Sequence, residues 1–189
     1  MTDPSNAIGT RGLCVLILED NEHMRHLLRR LLLAMGIRQI HEYSDGSEAL
    51  AEIRVKRPDF ILTDYSMEPI DGIAFTRAVR RLPDDADCVV PIIMVTGHTE
   101  RSRIQRARDA GVTEILAKPV TAAALHQRIE LIVHKPRHFV RAPNYVGPCR
   151  RRRTNPDYAG PWRRKDDLLR DAIAIDAGLQ AKDAGAALA

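Results

Sequence analysis

Little in this sequence of 189 residues supports a secreted or membrane-spanning protein. It contains only three cysteines, an odd number without the spacing of a zinc site, so neither a disulfide framework nor a zinc site is expected. Aromatic residues make up only 4% of the chain, and apolar runs such as residues 13–18 are too short to cross a bilayer. The first ten residues have neither the basic start nor the apolar core of a signal peptide. A cytoplasmic location without membrane contact is therefore predicted.

Net positive charge is also absent from most of the chain and is confined to one segment. Residues 1–134 carry a net charge of −2, residues 135–165 carry +9 and residues 166–189 carry −3. The basic segment has many prolines and no apolar periodicity, so we expect an irregular extension there. The predicted organisation is a flexible N-terminus (1–11), one domain (12–135) and a basic tail (136–189) with a possible short helix.

The domain alternates short apolar runs with segments of helical periodicity. Five such pairs predict an α/β fold with a five-stranded parallel sheet, doubly wound with helices on both faces. The predicted strands lie within 13–19, 37–44, 59–63, 89–96 and 113–117, and the helices within 24–35, 47–56, 72–81, 100–110 and 122–134.

Polar side chains follow four of these five strands. Glu19 and Asp20 end the first, Asp64 the third, Thr96 the fourth and Lys118 the fifth. The carboxyl ends of parallel strands share one edge of a sheet, where ligands bind in open α/β folds. Three neighbouring carboxylates repel one another unless a cation joins them, which favours Mg²⁺ with oxygen ligands. A carboxylate nucleophile with Mg²⁺, a lysine and a hydroxyl indicates phosphoryl transfer onto Asp64.

With these residues in this order, residues 13 to about 134 resemble the receiver domain of CheY-like response regulators in two-component signalling. The resemblance implies a flavodoxin-like fold and a chain that accepts phosphoryl groups but is not itself an enzyme. Because the basic tail has no pattern of an output domain, a stand-alone receiver is expected. The resemblance also implies a cis peptide bond at Lys118-Pro119. The implied site residues are Asp64 as phosphoacceptor, Glu19, Asp20, Asp64 and the backbone carbonyl of Ser66 as Mg²⁺ ligands, and Thr96 and Lys118 as contacts of the phosphoryl group.

The resemblance implies two kinds of partner. One is a histidine kinase or histidine phosphotransfer protein. The other is a downstream protein that binds the face formed by helix 4, strand 5 and helix 5 (residues 100–134) or the basic tail, unless the chain serves as a phosphate sink. Ile115 stands where the family usually has an aromatic switch residue. An aspartyl-phosphate phosphatase is a weaker alternative, because that family needs a second aspartate where this chain has Ser66.

The tail contains a short repeat: YVGPCRR at residues 145–151 recurs as YAGPWRR at residues 158–164. The repeat could dock on a protein through its rings and arginines, or bind nucleic acid through phosphate contacts and stacking, although no helix-turn-helix or zinc finger is visible. A solvated tail, or one that folds back on the acidic domain, is the third explanation. The candidate interaction residues are Tyr145, Arg150, Arg151, Tyr158, Trp162, Arg163 and Arg164.

Overall fold

A computed structural model describes residues 12–97, 100–143 and 145–149. Its main sheet has five parallel strands in the order β2-β1-β3-β4-β5, so the predicted fold class is confirmed. The strands are β1 (Cys14–Leu18), β2 (Gln39–Tyr43), β3 (Phe60–Asp64), β4 (Ile92–Thr96) and β5 (Glu114–Ala117). The described part of the chain contains no helix long and apolar enough to span a membrane.

Within the part of the chain that the structure describes, six helices connect these strands or follow them. They are α1 (Glu22–Ala34), α2 (Gly46–Lys56), α3 (Gly72–Val79), α4 (Asp85–Cys88), α5 (Arg101–Ala110) and α6 (Ala122–His134). The short α4 was missed because one turn is too short to show periodicity, and it shifts the numbering so that the predicted fourth and fifth helices are α5 and α6. Side chains of Asn21, Asp45, Asp71 and Thr121 accept hydrogen bonds from the first turns of four helices, which places those starts.

The helices cover both faces of the sheet because successive strand residues point to opposite sides. Val15 and Ile17 face α1 and α6, where Leu28 and Ile129 complete one core. Leu16 faces α2 and α3 in a second core. A third cluster places Met94 against α5. Because helices cover both faces, the edge formed by the carboxyl ends of the strands is left open for a site.

The expectation of an irregular extension is wrong for residues 139–142 and 145–148. They form an antiparallel hairpin of β6 (Phe139–Ala142) and β7 (Tyr145–Pro148), with Phe139 opposite Pro148. Phe139 is only 2% exposed and packs with Cys88 and Val89. The hairpin has too few apolar residues for hydrophobic periodicity to reveal it. The surface on which it packs is also distant in sequence.

Candidate functional site

The carboxyl edge of the sheet brings a lysine and two carboxylates together. Lys118 Nζ lies 2.7 Å from Asp64 Oδ1 and 3.4 Å from Glu19 Oε2. Glu19 follows β1, Asp64 ends β3 and Lys118 follows β5, so three distant parts of the chain meet. The Lys118-Pro119 peptide bond is cis, as the resemblance implied, and Glu68-Pro69 is cis as well.

The charges in this cluster do not balance, since two carboxylates share one ammonium. Burial, and then the neighbouring charge of Asp64, raise the pKa of Glu19 above its ordinary value despite Lys118. Burial alone would lower the pKa of Lys118, but the hydrogen bond and charge of Asp64, followed by those of Glu19, outweigh it and raise that pKa. Lys118 is therefore held as a cation, and the excess charge of the cluster is negative.

The loop after β3 holds the carboxylate of Asp64 in place. The backbone N–H of Ser66 donates to Asp64 Oδ2 at 2.9 Å, so each carboxylate oxygen has a partner. Farther along, the N–H of Gly72 donates to the carbonyl of Tyr65. A Cβ at Gly72 would overlap the carbonyl oxygen of Asp64, so this close approach requires glycine. The sequence MEPIDG thus closes a tight loop beneath the site.

Thr96 and Asp20 occupy different positions relative to this cluster. Thr96 ends β4 and is 3% exposed, and its carbonyl accepts from the backbone N–H of Lys118 at 2.8 Å. Asp20 is exposed at the start of the loop between β1 and α1. Arg25, which sequence reasoning missed, donates to the carbonyl of Glu19 at 2.7 Å and to that of Asp20 at 3.5 Å. The one sequence feature that could have indicated Arg25 is its position in the first turns of a helix that follows two acidic residues.

The donor types at this edge suit Mg²⁺, which prefers carboxylate and carbonyl oxygens. Two adjacent buried carboxylates with one ammonium leave negative charge that a divalent cation would neutralise. Over residues 12–97, 100–143 and 145–149, however, no three His, Cys, Asp or Glu side chains are grouped closely enough to hold a metal ion. The expected cluster of three carboxylates is therefore present only as the pair Glu19 and Asp64, with Asp20 beside it in sequence.

Next to the site, the ring of Tyr65 lies near Ile115, the position at which the sequence lacks an aromatic switch residue. Tyr65, directly after Asp64, is 7% exposed and packs in the cluster that Ile115 borders. The guanidinium of Arg103 in α5 lies 5.6 Å from the centre of this ring. Thr96 and Ile115 lie in the same neighbourhood as Tyr65 and Arg103. Tyr65 was missed from the sequence because its position directly after β3 did not indicate what its ring would contact.

The interaction residues predicted in the tail fall mostly outside the described residues. Tyr145 lies in β7, and its hydroxyl donates to the carbonyl of Pro148 at 2.9 Å. The others, Arg150, Arg151, Tyr158, Trp162, Arg163 and Arg164, are not described by the structure.

A five-stranded parallel sheet with a lysine and acidic pair at its carboxyl edge defines a response regulator receiver. The model of the response regulator receiver domain family matches residues 15–130, and the chain belongs to that family. It is thus a CheY-like receiver of two-component signalling, a class that generally transmits signals without being an enzyme. Receivers of this class interact with histidine kinases or phosphotransfer proteins and with downstream targets.

Individual relatives agree with this assignment. The chemotaxis protein CheY of Pseudomonas aeruginosa is 36% identical over 121 residues, which cover 64% of this chain and 96% of the relative. Chemotaxis protein CheY4 of Vibrio cholerae has a similar structure, with a TM-score of 0.58, 29% identity and coverage of 62% of this chain and 96% of that one. The receiver domain of sensor histidine kinase PA1611 from Pseudomonas aeruginosa, solved with a magnesium ion in its active site cleft, has a TM-score of 0.57 at 30% identity, covering 65% and 97%.

Proposed function

We propose that Asp64 accepts a phosphoryl group from a phosphohistidine of a kinase or phosphotransfer protein in an Mg²⁺-dependent reaction. The observation that carries this proposal is the fixed carboxylate of Asp64. One oxygen meets Lys118 at 2.7 Å, and the other accepts from the Ser66 N–H at the edge of the sheet. A nucleophile held this way loses little freedom on reaction, which is the main contribution a protein can make to phosphoryl transfer.

The transfer exchanges one bond to phosphorus for another. An oxygen of Asp64 forms a bond to phosphorus as the phosphorus–nitrogen bond of the donor histidine breaks, and the imidazole leaves with the electron pair. The product is an acyl phosphate whose oxygens carry more negative charge than the original carboxylate. Lys118 is positioned to pair with that charge, and the hydroxyl of Thr96 at the end of β4 would donate a hydrogen bond to it.

Mg²⁺ would be held by Glu19, Asp20, Asp64 and the backbone carbonyl of Ser66, with the exposed side chain of Asp20 drawn toward the pair of Glu19 and Asp64. When bound, it would neutralise charge on the phosphoryl oxygens. The excess negative charge around the Glu19 and Asp64 pair supports this choice, and so does the magnesium ion in the cleft of the PA1611 receiver domain. This chain's own contribution is to orient Asp64 and to keep Lys118 protonated beside it.

The output would be a changed protein contact at the face formed by α5, β5 and α6, or removal of phosphoryl groups as a phosphate sink. Thr96 lies beside Ile115 and Tyr65, and Ile115 belongs to this face. A shift of Thr96 toward a phosphoryl group would therefore alter the packing of these two side chains against α5. The cytoplasmic location and the contribution of the tail to partner binding stay predictions.

The test is labelling by acetyl phosphate with Mg²⁺, followed by intact mass and by sensitivity of the product to hydroxylamine. Wild type should gain one phosphoryl group, and Asp64→Ala should gain none because the attacking oxygen is absent. Glu130→Gln, which removes a half-exposed carboxylate from α6, is the matched control and should be labelled like wild type. Labelling of Asp64→Ala at the wild-type level would refute the proposal.

A further inference from the structure

Arg80 forms a second buried cluster at the edge of the sheet opposite Asp64. Its Nη1 donates to the carbonyls of Cys88 and Val90 at 2.8 Å each. Its Nε and Nη2 donate to the carbonyl of Gly111 at 3.0 and 2.9 Å. The side chain therefore joins the end of α3 to the start of β4 and to the C-terminal end of α5.

The hairpin β6–β7 completes this cluster. The guanidinium of Arg80 lies 4.9 Å from the centre of the Phe139 ring, which covers it. Burial lowers the pKa of Arg80 to about 9, so it remains charged at neutral pH. Arg141 and Arg137 extend the contact: Arg141 Nη2 lies 3.2 Å from Cys88 Sγ, and Arg137 Nη1 donates to the carbonyl of Thr113 at 3.0 Å.

The first Tyr-x-Gly-Pro unit makes its contact backbone to backbone. Gly111 ends α5 with a φ of 98°, a conformation that favours glycine. A Cβ on Gly147 would lie 2.8 Å from Gly111 Cα, and a Cβ on Gly111 would lie 2.6 Å from the carbonyl oxygen of Val146. Either Cβ would be too close, so the two glycines allow β7 to lie directly on the end of α5.

We propose that the surface formed by Arg80, Cys88, Val89, Gly111 and Thr113 is a docking site for the chain's own residues 137–143 and 145–149, and that this docking holds the C-terminal end of α5. The first Tyr-x-Gly-Pro unit thereby serves the receiver itself. Because α5 begins five residues after Thr96, it connects this docking site to the Asp64 edge. A change at Asp64 that moves α5 would alter the docking of the hairpin, and the reverse also holds by linkage; this second step rests on the proposed phosphorylation.

The first experiment measures native-state hydrogen exchange in the full-length protein without phosphodonor. Phe139→Ala removes the ring over Arg80, and Gly147→Ala introduces the Cβ that meets Gly111. In both variants we expect amides of the hairpin and of residues 106–113 to exchange about tenfold faster than in wild type, because local opening exposes them together. Val55→Ala truncates a side chain that is 70% exposed on α2 and should leave both regions unchanged.

Two results would overturn the docking proposal. One is that hairpin amides stay protected in both variants, which would mean that these contacts do not hold the hairpin. The other is that the hairpin opens while residues 106–113 exchange as in wild type, which would separate it from α5. Gly147→Ala leaves the Phe139 ring in the protein, so it keeps the test valid if Phe139→Ala does not fold.

The second experiment adds beryllofluoride and Mg²⁺ and follows the adduct by fluorine NMR. We expect the adduct to change hairpin exchange in wild type but not in Asp64→Ala, and Gly147→Ala to shift the beryllofluoride affinity by about threefold or more. An adduct at Asp64 with no change in hairpin exchange or affinity would refute the coupling alone. Failure of wild type to form an adduct would instead count against the proposed phosphorylation.

Discussion

Each of the two edges of the sheet holds a cation, half-buried Lys118 at one and buried Arg80 at the other, and the two cations have opposite kinds of partner. Lys118 meets two carboxylates, which together exceed its charge. Among the described residues, the guanidinium of Arg80 contacts backbone carbonyls and the Phe139 ring, and three of those carbonyls accept its hydrogen bonds. The first arrangement leaves an excess of negative charge that a bound cation can neutralise. The second has its donors paired and covered, so it stabilises the fold.

The difference explains why one edge suits chemistry and the other structure. Carboxylates are side-chain groups that can react, exchange partners or bind a metal. Backbone carbonyls at strand and helix ends cannot move without disturbing those elements, and the fork of a guanidinium suits several of them at once. Variants at the Arg80 edge should therefore change stability, whereas variants at the Lys118 edge should change reactivity.

The largest expected effect is on stability at the Arg80 edge. Arg80→Met should lower the free energy of unfolding by about 3–5 kcal/mol, because it leaves the carbonyls of Gly111, Cys88 and Val90 buried without donors. Urea unfolding of the full chain measures this. The folded fraction should still be labelled at Asp64. Wild-type stability in Arg80→Met would mean that the two edges do not differ in the way described.

Lys118 provides the corresponding change at the other edge. Lys118→Ala should slow labelling by acetyl phosphate about 10–100-fold, since no cation then pairs with the developing charge on the phosphoryl oxygens. Lys135→Ala, at the exposed end of α6, is the matched control and should react like wild type. A stopped-time mass assay compares the rates. If both lysine variants reacted equally fast, Lys118 would have no part in the transfer.

Ile115 should separate packing from chemistry within the Asp64 edge. Ile115→Ala removes a partly buried side chain next to Tyr65 and should cost about 1 kcal/mol of stability. Labelling at Asp64 should be nearly unchanged, because Ile115 takes no part in the ion pair and the hydrogen bond that hold Asp64. Urea unfolding and the mass assay are run on the same sample. Lost labelling in a folded Ile115→Ala protein would show that this face and the site cannot be separated.

The smallest effect concerns the pH dependence of Glu19. Its pKa in the folded protein lies above the ordinary 4.5, so Glu19 binds a proton more readily in the folded protein than in the unfolded chain. Stability from this group is complete below 4.5 and is lost as pH rises through the raised pKa. The pKa of Lys118 is raised from 10.5, so its stabilisation stays constant across that acidic window. Unfolding free energies of wild type and Glu19→Gln should diverge in favour of the variant as pH rises above 4.5, and parallel curves would contradict this.

The sequence alone determined the sheet and the location of the site. Continuous apolar runs followed by Glu19, Asp64, Thr96 and Lys118 predict buried parallel strands with polar carboxyl ends, because an apolar run and the residue that ends it are local features of the chain. Helix starts at residues such as Asn21 and Asp71 follow from side-chain caps that depend on three or four neighbouring residues.

Only the tertiary structure decided which distant groups meet. Arg80 resembles any surface arginine in sequence until the carbonyls of residues 88, 90 and 111 surround it. Phe139 and Gly147 lie in a segment whose composition predicts no core, yet they are fitted to a surface that α3, α4 and α5 assemble. The physical reason is that backbone carbonyls and close glycine contacts carry no sequence signature, so their partners become visible only when the chain has folded.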